Sequence, residues 1–397
     1  MSFLNDIIFY LNPANINLDI FKSFFLGKYH WVAYAILFSM LAVIAISWMC
    51  FMAIVGTYLE RRVAGFIQSR LGPNRTGYFG LFQPVADGVK LLFKESIYPK
   101  GVHKVLFVLA PMVVFTGVLF PFAVLPFSEY FKATSMSLAL IYILAFESIE
   151  VIGLLMAGYA SKSKWSLYGG IRAVSQILSY EIPLGLCVLS VAIMAGTMNF
   201  NKLTFWQAEN GIFSLTIFRS PFLFILFIVF FICGLACARR APFDLPEAES
   251  ELTAGFHAEY TAMKFAFFFM AEYAAMYVVS AFAVMLFLGG FKYPIPEGEF
   301  LRNLELVSIK DMFFASETLK DFILKLFTKN NFLFLVREMI GVFNVLIKTF
   351  LLYFTMIWVR WTFPRLRVDA LTSLCLKYLL PISLCCFIGV ILQITFF

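Results

Sequence analysis

Charge is scarce in this chain. Asp, Glu, Lys and Arg make up only 14% of its 397 residues, against about 25% in a soluble domain. So few polar groups cannot cover a water-facing surface, which excludes an ordinary soluble protein. A hydrophobic content of 61% excludes a disordered one. Histidine is scarcer still: His30, His103 and His257 are too scattered for a ligand cluster, and an intramembrane haem would need paired histidines at helical spacing. The seven cysteines (Cys50, Cys187, Cys233, Cys237, Cys375, Cys385 and Cys386) include no CxxC pair. The sequence therefore predicts no metal site, and these residues read as small buried hydrophobes. A repeat between the two halves is also missing, which weighs against a stand-alone secondary transporter.

The 31 basic residues outnumber the 24 acidic ones. They form no basic stripe on a polar fold, so nucleic acid is not expected as a partner. In a membrane chain such an excess decorates one side of the bilayer.

What the sequence has in abundance is long apolar runs. A spanning helix needs about 20 mainly apolar residues, and eight segments qualify. Residues 31–58, 105–127, 182–201 (with its helix beginning near Ala173), 220–238 and 378–397 contain no Asp, Glu, Lys or Arg. Residues 138–161 contain two glutamates, 265–291 one glutamate and 339–359 one lysine. The expected fold is an all-α polytopic membrane protein with eight transmembrane helices and additional interfacial amphipathic helices. Its expected parts are an N-terminal extension (1–30), spans one to six with two long loops (31–291), an inserted extramembrane loop (292–338) and spans seven and eight (339–397).

Residues 59–104 carry Arg61, Arg62, Arg70, Arg75, Lys90, Lys94, Lys100 and Lys104. The loops expected on the same side add Lys162, Lys164, Arg172, Arg239, Arg240, Lys264, Arg360, Arg365, Arg367 and Lys377. That side should face the negative compartment, with both termini opposite. The loop 292–338 strains the rule with seven basic residues, yet long loops translocate largely regardless of charge. Within it, Leu319, Phe322, Ile323, Leu326 and Phe327 repeat at helical spacing. This predicts an amphipathic helix that lies on the membrane or docks on a partner.

The charges inside the spans are the informative exceptions. An acid at mid-membrane costs about 2.5–3.5 kcal/mol on insertion scales. Glu147 and Glu150 incur that cost twice in one span. At i,i+3 spacing they share a helix face, and their titrations should be coupled. The pair fits a proton relay or hydrated cavity, and alternatively a structural salt bridge to a nearby base. Glu181 opens the fourth span and Glu272 lies within MAEYAAM in the sixth. Either alone reads as an acid near an interface; four acids on three spans indicate a polar path through the bundle.

Two loops on the basic side are dense in special residues. The first runs from Glu60 to Glu95 (ERRVAGFIQSRLGPNRTGYFGLFQPVADGVKLLFKE). Gly72, Pro73 and Asn74 mark a turn. Leu81, Phe82, Val85, Val89 and Leu92 then predict an interfacial helix carrying Asp87 and Lys90. The second is ARRAPFDLPEAESELTAGFHAEY, Ala238 to Tyr260, with five acids beside two arginines. Pro242 and Pro246 stiffen it and apolar residues interleave the charges, which predicts a packed loop.

These two loops, with RAVSQILSYE (Arg172–Glu181) and WVRWTFPRLRVDAL (Trp358–Leu371), resemble the quinone-tunnel membrane subunit, subunit 1, of the proton-pumping NADH:quinone oxidoreductase, respiratory complex I. The resemblance covers residues 31–292 and 340–397. Membrane-bound hydrogenase and chloroplast-type dehydrogenase subunits are related, but ARRAPFDLPEAESEL follows the respiratory pattern better.

The resemblance implies eight transmembrane helices at the junction of the two arms of the complex, and a tunnel that admits ubiquinone from the bilayer. It implies no redox centre and no catalytic residue in this chain. Flavin mononucleotide and the iron–sulfur clusters belong to partner subunits, and ubiquinone is the substrate. The implied partners are the iron–sulfur and quinone-site subunits of the peripheral arm, the small membrane-arm subunits and lipid. By position, Glu60, Arg61, Arg70 and Asp87 resemble the charged tunnel lining, and Arg360, Arg365 and Arg367 a flanking basic group. Arg240, Asp244, Glu247, Glu249, Glu251 and Glu259 resemble the acidic loop facing the tunnel. Glu181 and Glu272 resemble buried acids of the proton path, which Glu147, Glu150, Glu247, Glu249, Glu251 and Glu259 would share.

Three features depart from the family pattern. Glu147 and Glu150 stand where small or neutral residues are expected, so either the relay is enriched or one acid has a partner special to this chain. Residues 1–30 and 292–338 look like additions, expected to dock further subunits or lipid. The 50 phenylalanines and the lack of an Arg- and Ser-rich leader favour a mitochondrial inner membrane over a bacterial plasma membrane.

Overall fold

The computed structural model describes residues 30–208, 211–246, 249–292 and 329–396, with backbone only for 30–38, 41, 211–212, 249–250 and 329–337. Among the described residues the structure is helical, without strands. The labelled helices are α1 (His30–Ile67), α2 (Gln83–Phe93), α3 (Lys104–Phe122), α4 (Ala139–Ala160), α5 (Lys164–Ala195), α6 (Phe200–Gln207), α7 (Pro221–Cys237), α8 (Ala262–Phe287), α9 (Lys329–Thr362) and α10 (Val368–Phe396). A π-helical turn, Leu374–Leu379, interrupts α10.

Each of the eight apolar segments has most of its length in a helix. Among the described residues, seven helices are long and apolar enough to cross a bilayer. The remaining one, α7, has 17 residues, about 25 Å at 1.5 Å per residue. Several boundaries differ from the expectation. Helix α5 begins at Lys164 and stops at Ala195, where Gly196 takes the left-handed φ of 65° that ends helices cheaply. Helix α9 begins at Lys329, inside the segment expected to be inserted loop. The predicted amphipathic helix at 319–327 lies outside the described residues, as do residues 1–29.

Helix α8 is the spine of the bundle. It packs against α1, α3, α7 and α9, while α4 and α5 continue the wall from α3. Its most apolar stretch is 89% buried, against 28% to 50% in the other six long helices. Those helices turn Ile, Leu, Phe and Met side chains outward, for instance Val43, Ile44, Ile152, Leu178 and Ile388. With no driving force between apolar side chains and lipid tails, close packing needs small residues at the contacts. Gly117 of α3 and Gly153 of α4 supply them. A Cβ on Gly117 would stand 2.9 Å from the Glu150 nitrogen, and one on Gly153 2.8 Å from the Val114 nitrogen.

The predicted interfacial helix is α2. Leu81, Phe82, Val85, Val89 and Leu92 form an exposed apolar face along it, as a helix lying on the membrane surface requires.

Candidate functional site

The site is built around the loop after α7. Helix α7 ends in a Schellman motif: Arg240 N–H donates to Leu235 O (3.3 Å) and Arg239 N–H to Ala236 O (3.2 Å). The left-handed position of such a cap usually belongs to glycine; here it is Arg239, at φ 55°. The chain then stays inside the bundle, with Ala238–Ala241 and Phe243–Pro246 buried. Irregular backbone at membrane depth is tolerated only where protein satisfies its polar groups. Gln176 of α5 does so, donating through Nε2 to Ala236 O (2.8 Å) and Phe243 O (2.7 Å). Leu366 N–H donates to Pro242 O at 3.0 Å. The expected packed loop is present.

Two consecutive arginines leave this loop in different directions. Arg240 reaches Glu60 of α1 (3.4 Å) and Glu272 of α8 (3.2 Å). Glu60 also pairs with Arg360 of α9 at 2.7 Å and accepts from the Tyr273 hydroxyl at 2.6 Å. The Arg240 guanidinium lies 4.2 Å from the centre of the Tyr273 ring. Two acids and two bases from four chain segments thus close a charge-balanced network. Arg240 is 2% exposed and Arg360 23%, so the network runs from the dry interior towards one wetter edge. A buried charge is tolerated only when paired and hydrogen-bonded.

Arg239 turns towards α4 and pairs with Glu150 at 2.5 Å. Glu147 and Glu150 line one small cavity with Gly117, Pro121, Cys237 and Val279. Beside them the Ser148 hydroxyl donates to Glu181 of α5. Glu150 thus has the basic partner that a structural salt bridge requires, and Glu147 lines the cavity beside it.

The other expected residues lie further out. Asp244 is buried and pairs with Arg365 at 3.1 Å. Burial pushes its carboxyl above the usual carboxylate range, with Arg365 and then Arg240 opposing. Arg61 and Lys90 flank Asp87 at 2.6 and 3.7 Å, fastening α2 to α1. Arg172 pairs with Glu251 at 2.6 Å. The Arg70 guanidinium donates to nearby Gln68 (2.6 Å) in the exposed turn, Arg367 is exposed at the start of α10, and half-buried Glu259 enters neither network among the described residues. Glu247 and the Glu249 side chain lie outside the described residues. Arg239, Tyr273, Ser148 and Gln176 are members of the site that the sequence did not point to. Arg239, Ser148 and Tyr273 carried a signal, each adjoining a residue already singled out.

A family model described as NADH dehydrogenase matches residues 39–391. The chain belongs to this family. It is 42% identical over 334 residues to an NADH-quinone oxidoreductase subunit of Chlorobaculum parvum, a match that covers 84% of this chain and 85% of the relative. The corresponding NADH-quinone oxidoreductase subunit of Anaeromyxobacter dehalogenans is 37% identical over 362 residues, covering 90% of this chain and 83% of the relative. The resemblance drawn from the loops is borne out, and the chain is a multi-pass membrane member of the family. Both relatives are bacterial, so they give no support to the expected mitochondrial location.

Proposed function

We propose that this chain is the subunit of a proton-translocating NADH:quinone oxidoreductase that guides quinone to its reduction site and starts the coupled proton path. The observation that carries the reading is the charge-balanced network of Glu60, Arg240, Glu272 and Arg360, buried beside the loop 238–246 with only Arg360 partly exposed. Quinone reduction takes up two electrons and two protons, and a buried charge array responds strongly to that change in a low dielectric. Arg61, Arg70, Asp87, Asp244, Arg365 and Arg367 border the quinone path. Glu147, Glu181 and Glu272 carry protons into the bundle, with Glu247, Glu249, Glu251 and Glu259 on the loop side. The electrons come from flavin and iron–sulfur clusters in partner subunits, and this chain supplies no redox group.

In this reading α7 serves as the eighth span. The basic loops face the negative side of an energy-coupling membrane, and both termini face the other. The test is purification of the chain from its native membrane in mild detergent. It should emerge in a large assembly that holds flavin and iron–sulfur clusters and reduces quinone with NADH. Emergence alone, or in an assembly without that activity, overturns the proposal.

A further inference from the structure

The sequence places two acids one helical turn apart in α4, and the structure treats them unequally. Glu150 is buried in a 2.5 Å ion pair with Arg239, whose side chain is only 1% exposed. Gly117 lets α3 approach the Glu150 backbone closely: a Cβ there would stand 2.9 Å from the Glu150 nitrogen. Any event that frees Glu150 strands a guanidinium in a dry interior, which is strongly unfavourable. Glu147 is held by no such partner: its Oε2 is buried with no hydrogen-bond partner among the described residues, and the side chain lines the cavity. The next residue, Ser148, is hydrogen-bonded to Glu181, so an acid of α5 is tied to α4 one residue from Glu147.

We propose that Arg239 claims Glu150 as its fixed counter-charge and leaves Glu147 as the acid of the pair that relays protons. This rests on the proton-path reading above and divides its labour. A proton taken up from the cavity binds the Glu147 carboxylate and is passed on towards the Glu181 carboxylate; no electrons move and no covalent bond to carbon changes. Arg239 is then a positioning residue that keeps Glu150 out of the relay.

The test uses the whole complex in sealed native membrane vesicles, reading assembled complex, NADH oxidation and proton uptake together. Glu147→Gln should assemble normally and lose about tenfold or more of its proton translocation, the scale of a lost proton-transfer group. Glu147→Asp should recover most of it. The charge-neutral double variant Glu150→Gln with Arg239→Gln should assemble and lose at most about threefold, whereas each single change strands a charge and assembles poorly. A double variant that assembles yet falls as far as Glu147→Gln overturns the division of labour and leaves the proton-path reading standing. Normal translocation in both Glu147→Gln and the double variant overturns both. If the double variant does not assemble, the Glu147→Gln and Glu147→Asp comparison decides: translocation by Glu147→Gln within about twofold of the wild type refutes the proposal.

Discussion

Replacing Arg240 with methionine tests whether the central network is dry. In the wild type, Glu60 and Glu272 balance Arg240 and Arg360. The single variant leaves two acids facing one base. Glu60 keeps Arg360 and the Tyr273 hydroxyl, so the loss falls on the Glu272 ion pair and on the contact with the Tyr273 ring. Breaking a buried pair costs about 3–5 kcal/mol. The lower end applies because Arg360 is 23% exposed and water screens that edge. A loss of about 3 kcal/mol is roughly two orders of magnitude in an equilibrium constant. Adding Glu272→Gln restores neutrality and should recover most of it. The measurements are the amount of assembled complex in membranes and its inactivation rate at fixed temperature in detergent, for both singles and the double. A single variant costing less than about 1 kcal/mol, the ordinary value of an exposed ion pair, would show that the network is solvated. A double variant no better than the single would refute the charge-balance argument itself.

Two further predictions follow from geometry and from titration. Gly117→Val should crowd the Glu150 backbone and cost about 1–3 kcal/mol of stability, whereas Gly185→Ala, where an added Cβ meets nothing within 4 Å, should be neutral; equal assembly of the two variants would contradict the close α3–α4 contact. Asp244 titrates above its usual range because of burial, so the folded state binds its proton more tightly than the unfolded chain does. Stability therefore declines as pH rises from about 3.9, the ordinary aspartate value, to the folded value, and is level above it. Asp244→Asn should remove that decline, seen as a wild-type-minus-variant difference in melting midpoint that grows more negative with pH; a difference independent of pH would refute it.

The helices were legible because lipid imposes a composition rule that leaves long uncharged runs in the sequence. Their ends were less so. Helix α7 stops at Cys237 although the sequence after it offers no glycine, because the chain turns into the bundle at Arg239 to deliver a guanidinium to Glu150. The four intramembrane acids could be picked out one by one. Their partners could not, since Glu150 lies 89 residues from Arg239 and Glu181 lies 33 from Ser148. Sequence spacing carries no trace of a pairing made across the bundle. Helical periodicity identified α2 and its apolar face, and local charge pattern placed Asp87 beside Lys90. The arginine at 61 that completes that cluster arrives from another helix. Gln176 escaped notice because an amide in a helix looks ordinary until the two carbonyls it satisfies are known.

The cap at Arg239 leaves this position answerable to two unrelated demands. Its backbone sits where glycine would be most at ease, and its side chain neutralises an acid that no other base among the described residues pairs with. Glycine would satisfy the first demand and abandon the second, and lysine would keep the charge at the full conformational cost. No single substitution meets both. Residue 239 and residue 150 can therefore drift only together, and their identities in any related chain should change as a pair or not at all.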